Sequence, residues 1–155
     1  MERPDATYSD VLLKQRYRPA GVLGRGGMST VYRAHDEQLG REVALKLFGA
    51  IPAGAASAPV FTSELRVLAS LNHHSIVTLL DAGIDDTVPD EPHPYIIMEL
   101  VAGPNLEQAI RSGELTSRAI AEIGYDLAEA LDYVHARGSV HRDLKPSNIL
   151  LVDYG

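Results

Sequence analysis

The eight residues His141-Arg-Asp-Leu-Lys-Pro-Ser-Asn148 carry six polar side chains and one proline, directly after a helical pattern that stops at Gly138. A core strand would bury those charges without partners, and an amphipathic helix would need an apolar stripe and the amide that Pro146 lacks. The run is therefore a loop. The chain around it has to fold into something that holds a polar loop in place.

Upstream, the pattern is strand-like over Tyr17–Leu23, Thr30–His35 and Glu42–Phe48, where Val43, Leu45 and Leu47 alternate with Ala44, Lys46 and Phe48. A small antiparallel sheet is expected. Gly49–Pro59 reads as a connector, and Val60–Leu71 as a helix carrying Phe61, Leu65 and Leu68 on one face, with Ser57 as its cap. A strand is expected at Ile76–Leu80, then an acidic, proline-rich connector over Ile84–Pro94, then a buried strand at Tyr95–Leu100 broken by Gly103-Pro104. From there the period turns helical. Thr116 caps a long helix whose Ile120, Ile123, Leu127, Leu131 and Val134 form one stripe, with Arg137 in its last turn and Gly138 as its stop. Sheet plus one helix first, and helices afterwards, is an α+β order.

Fourteen Lys and Arg stand against twenty-one Asp and Glu, so the chain lacks the basic surface that sequence-independent nucleic-acid binding requires. No cysteine is present, which excludes disulfides and thiolate metal sites and fits a reducing, cytoplasmic setting. No run approaches the roughly 18 apolar residues of a membrane span.

Three stretches carry chemistry. Leu23-Gly-Arg-Gly-Gly-Met-Ser-Thr-Val31 places glycines at 24, 26 and 27 between two strands, where bare backbone amides approach a phosphate closely. By itself the stretch is equally a glycine-rich hairpin turn. A dinucleotide-binding fold would need a helix straight after the glycines, whereas Thr30, Val31 and Tyr32 favour a strand. In β geometry Ala44 and Lys46 point the same way, about 6.5 to 7 Å apart, so a small residue leaves room for a flat ring and an ammonium stands ready for its phosphates. The plain alternative is a solvated lysine on an edge strand. Glu64 falls inside the apolar stripe of its helix, a costly place for an unpaired carboxylate, and Lys46 is the partner at hand. In the polar loop, Asp143 offers an acceptor for a hydroxyl proton, Lys145 a cation for a phosphate oxygen, and Asn148 a hard oxygen for Mg²⁺. Those types match the needs of phosphoryl transfer one by one. His73-His74 suggests a metal at first sight, yet neighbouring side chains on a backbone diverge, and no metal is expected there.

In this order and over about residues 17–151, the chain resembles a eukaryotic-type protein kinase, most closely the bacterial serine/threonine kinases. The resemblance implies an N-terminal extension over 1–16, an N-lobe over 17–100, a hinge at 101–103 and a partial C-lobe over 104–155. It implies Mg-ATP as cofactor and a protein Ser/Thr hydroxyl as acceptor. Leu23, Gly24, Arg25, Gly26 and Gly27 would cover the nucleotide, with Ser29 in place of the third glycine. Lys46 would hold the α- and β-phosphates and pair with Glu64. Val31 and Ala44 would roof the adenine pocket, Leu150 floor it and Met98 close its back. The backbone of Glu99 to Val101 would meet the adenine edge. Asp143 would be the catalytic base, Lys145 the γ-phosphate cation and Asn148 a Mg²⁺ ligand.

The same resemblance asks for a metal-binding Asp-Phe-Gly beyond the loop, and Asp153-Tyr-Gly155 is its look-alike. Run straight, five residue steps carry Asp153 up to about 17 Å from Asn148. Folded back, a hairpin would place Leu150-Leu151 in its turn, where positive φ favours Asn-Gly. Asp153 is accordingly read as the start of a hairpin loop. A chain ending here is expected to be inactive in transfer, with much of the 116–137 stripe unpartnered, and a non-catalytic nucleotide-binding or kinase-regulating module is the second reading.

Overall fold

A computed structural model describes residues 12–51, 65–87 and 90–152. The chain divides into two compact units, one of Met1–Ser70 with Thr78–Leu100 and the other of Leu71–Val77 with Val101–Gly155.

The first unit is a five-stranded antiparallel sheet: β1 (Tyr17–Arg25), β2 (Ser29–Asp36), β3 (Arg41–Phe48), β4 (Leu79–Asp85) and β5 (His93–Glu99). Their order across the sheet is β1-β2-β3-β5-β4. The alternation in β3 sets its two faces. Val43, Leu45 and Leu47 join Leu13, Tyr17, Tyr32, Ala34, Tyr95 and Ile97 in one hydrophobic cluster, and the register confirms it: Leu45 lies opposite both Tyr32 and Ile97. Leu45 and Ile97 are almost fully enclosed, and burial of each contributes about 2 kcal/mol. Residues 65–70 are helical and complete what is described of this unit's helix.

Asp36 ties the sheet's outer corner together. Its buried carboxylate accepts from Arg16 Nε at 2.9 Å and Nη2 at 2.8 Å, and from the amides of Gln38 and Leu39. Chiefly through the Arg16 guanidinium, its pKa is held down to about 2. The β2–β3 turn closes where the Gly40 amide donates to the Asp36 carbonyl, with Gly40 at φ 64. Beside this corner the Tyr17 hydroxyl donates to Asp81 at 2.5 Å.

The strand expected at Ile76–Leu80 begins instead at Leu79 and runs to Asp85. Ile76 is held in a turn, where its amide donates to the His73 carbonyl, and the pairing partners of β5 are Leu79 to Asp85. The two ends of the acidic connector are thus hairpin strand: Ile84 pairs with Pro94, and Asp85 with His93. Hydropathy pointed away from strand there because Asp81 and Asp85 are polar. The Asp81 carboxylate accepts from the Tyr17 hydroxyl and the Ala82 amide, and Asp85 accepts from the Thr87 hydroxyl through one of its two oxygens.

The second unit contains α1 (Leu106–Ser112), α2 (Ser117–His135) and a single 3₁₀ turn at Pro146–Asn148. Thr116 caps α2 by accepting from the Ala119 amide, and Gly138 takes φ 75 just beyond its end. Arg137 lies past the last turn rather than in it, its guanidinium 3.5 Å from the Tyr133 ring centroid. Of the α2 stripe, Ile120 is 56% exposed, and Ala130 is the helix's buried residue. No described helix is long and apolar enough to cross a membrane.

Candidate active site

In the first unit, the face of the sheet opposite the hydrophobic cluster collects the residues singled out for nucleotide. Val31 lies opposite both Gly24 and Lys46, Lys46 opposite Ile96, and Ala44 opposite Met98. Gly24, Val31, Ala44, Lys46 and Met98 therefore occupy neighbouring register positions. Since β3 has a strand on either side, the edge-strand reading of Lys46 falls away. Its ammonium lies 5.4 Å from the Phe48 ring centroid, a cation–π distance. Leu23 and Arg25 sit at the end of β1, Arg25 opposite Thr30, and the glycine turn closes where the Gly26 amide donates to the Ser29 carbonyl at 2.8 Å. Met28 stands at the tip, 85% exposed. Glu99 ends β5. Glu64 lies outside the described residues.

In the second unit the polar loop folds onto itself around Asp143. Asn148 Nδ2 donates to the Asp143 carbonyl at 2.9 Å and to its Oδ2 at 3.2 Å, while Lys145 Nζ lies 3.6 Å from the same Oδ2. The turn that allows this is strained: Arg142 has φ 69, a left-handed conformation that a non-glycine residue adopts at a cost of order 1 kcal/mol or more. Across it, the Asp143 amide donates to His141 Nδ1 at 3.2 Å. The 3₁₀ turn then brings Asn148 back, its amide donating to the Lys145 carbonyl. His141 and Arg142 carried no role in the sequence reading, though both lie inside the motif that drew attention to Asp143.

A second clamp holds the loop's exit. Leu150 bridges to Asn105, the Leu106 amide donates to the Ile149 carbonyl at 2.8 Å, and the Leu151 amide donates to the Pro104 carbonyl at 2.9 Å. At Gly103, with φ 146, a Cβ would overlap the Leu151 carbonyl oxygen, which is why the break in the sequence pattern is a glycine. Val101 lies in this unit, outside any helix or strand. Asp153 lies outside the described residues.

Whether Mg²⁺ suits the loop turns on Asn148. Its nitrogen is spent on Asp143, which leaves its Oδ1, and the donor set with the Asp143 carboxylate is all oxygen, as that cation prefers. The expected divergence of His73 and His74 is not found. Both sit in a turn rather than a strand, and their rings stack with centroids 4.3 Å apart. With Glu129 they bring three ligand atoms within 4.8 Å of one another. His73 Nδ1, however, accepts from the Ser75 amide, so the neutral ring keeps its proton on Nε2 and has no free nitrogen lone pair for a metal.

Five antiparallel strands followed by helices, a glycine turn beside a central-strand lysine, and an Asp-Lys-Asn loop define an architecture of the protein-kinase type. The family profile described as the protein kinase domain matches residues 17–155, and the chain belongs to that family. It is 43% identical over 142 residues to a probable serine/threonine-protein kinase of Streptomyces coelicolor. To the serine/threonine-protein kinase PknB of Mycolicibacterium smegmatis it is 40% identical over 141 residues. These alignments cover 90% of this chain but 21% and 22% of the relatives, so the chain spans about a fifth of their length.

Proposed function

We propose that this domain transfers the γ-phosphoryl group of Mg-ATP to a serine or threonine hydroxyl of a protein. The single observation that carries the reading is the Asp143 cluster, in which one carboxylate is held by an amide and faced by an ammonium. Asp143 accepts the proton of the attacking hydroxyl, and Asn148 keeps its carboxylate oriented for that acceptance. Lys145 lies close enough to Asp143 to meet a phosphate oxygen at the same place. Asn148 Oδ1 would hold Mg²⁺, which when bound neutralises charge on the phosphate oxygens. On the sheet, Lys46 binds the α- and β-phosphates with Glu64 as its ion partner. The turn from Leu23 to Gly27 covers them, Val31, Ala44 and Met98 enclose the base, and the backbone of Glu99 and Val101 meets its edge. Leu150 contributes an apolar side chain to base binding.

The names of the relatives support the serine/threonine class, as does Lys145 two positions after Asp143. The test is Asp143→Asn in the intact protein, followed as transfer of γ-³²P to a generic Ser/Thr protein substrate. Loss of roughly 10²–10⁴-fold in kcat, with nucleotide affinity kept, is the expected outcome. Transfer at the wild-type rate would remove Asp143 from its role.

A further inference from the structure

We infer that Phe48 is a positioning residue for Lys46: its ring holds the Lys46 ammonium on the glycine-turn side of the proposed nucleotide site, where phosphates rather than the base would lie. The inference rests on the nucleotide reading above. Ala44, Lys46 and Phe48 alternate onto one face of β3, with Lys46 in the middle. Ala44, small enough to leave room for a flat ring, lies two places back. Phe48 lies two places on, opposite Ser29, where β2 leaves the glycine turn. An ammonium held over the Phe48 ring, 5.4 Å from its centroid, is therefore drawn along the strand towards that turn and away from Ala44.

The ring acts from a fixed backbone. On one side the Gly49 amide donates to the Met28 carbonyl at 3.2 Å, and on the other His93 Nδ1 lies 2.9 Å from the Phe48 carbonyl oxygen. A carbonyl only accepts, so the imidazole is the donor. Phe48 is thus fastened to the glycine turn and to β5 at once. A flexible lysine stem gains from such a hold, because its rotamer freedom would otherwise scatter the charge. The ring occupies one side of the ammonium and leaves other N–H groups for phosphate oxygens and for the proposed Glu64 partner.

Binding of Mg-ATP and of adenosine to the intact protein by calorimetry, with wild type, Phe48→Leu and Phe48→Tyr, separates this role from simple packing. Adenosine carries the base without phosphates and so makes no use of Lys46. The expected result is that leucine weakens Mg-ATP binding about three- to tenfold and leaves adenosine unchanged, while tyrosine, which restores a π face, recovers most of the loss. A leucine variant that keeps wild-type affinity for Mg-ATP, or that loses both ligands alike, overturns the inference, as does a tyrosine variant no better than leucine. Wild type that binds neither ligand overturns the underlying nucleotide reading instead. A readout without substitution guards against an unfolded variant: in wild type the Phe48 ring current should move the Lys46 ε-methylene protons upfield of those of Lys14 and Lys145, and coincident signals in folded protein also overturn the inference.

Discussion

Asp36 is where a single residue has the largest reach in the sheet, because one buried carboxylate satisfies Arg16 and two turn amides together. Replacing it by asparagine leaves the guanidinium without its counter-charge, and a loss of about 3 kcal/mol in urea unfolding is expected. The pH dependence has a definite sign. The unfolded carboxyl titrates near 4 and the folded one at about 2, so between those values the unfolded chain binds more protons. Stability should therefore be fully present above about pH 4 and fall as the pH drops towards 2, and Asp36→Asn should flatten that limb. Nothing in the sequence announced this residue. Asp36 looks like an ordinary turn aspartate, and its partner Arg16 is twenty positions away. The place of Lys46 on the same face as Ala44 was legible for the opposite reason, since it follows from a spacing of two on one strand.

Among the elements, α1 depends most on its ends. With seven residues it is too short to persist by itself, and Asn105 accepts from the Gln108 amide while Gln108 accepts from the Asn105 amide. Because Asn105 also pairs with Leu150, its cap reaches the exit of the Asp143 loop. Asn105→Ala should lower stability by about 1 kcal/mol, seen as an earlier urea midpoint with an unchanged slope. The sequence reading did not place this helix, although the Asn-x-x-Gln signature was there, because seven residues give too little periodicity. The long helix was legible from its stripe and from Thr116. The start of β4 was misplaced, since apolar Ile76 and Val77 resemble strand while the paired residues include Asp81 and Asp85.

For the molecule as a whole, ligand linkage is the broadest check on the proposal. Mg-ATP at about one hundred times its Kd should stabilise the protein by about 2.7 kcal/mol, raising Tm by several degrees. A rise without phosphoryl transfer would favour the nucleotide-binding module over the enzyme, and an unmoved Tm would count against both. The family was legible because its evidence is local, three short stretches in a fixed order, whereas positions such as Glu64 depend on contacts that periodicity only hints at.

The alternation along β3 has a bearing on how such a chain can change over generations. Residues 43, 45 and 47 face the hydrophobic cluster, and residues 44 and 46 face the other way. Variation at the odd positions is felt in the hydrophobic cluster, and variation at the even ones falls on the face proposed to carry the nucleotide, where Ala44 is itself buried. The insertion or deletion of a single codon exchanges the two sets at a stroke, which closes that strand to length variation while leaving its residues individually free to evolve.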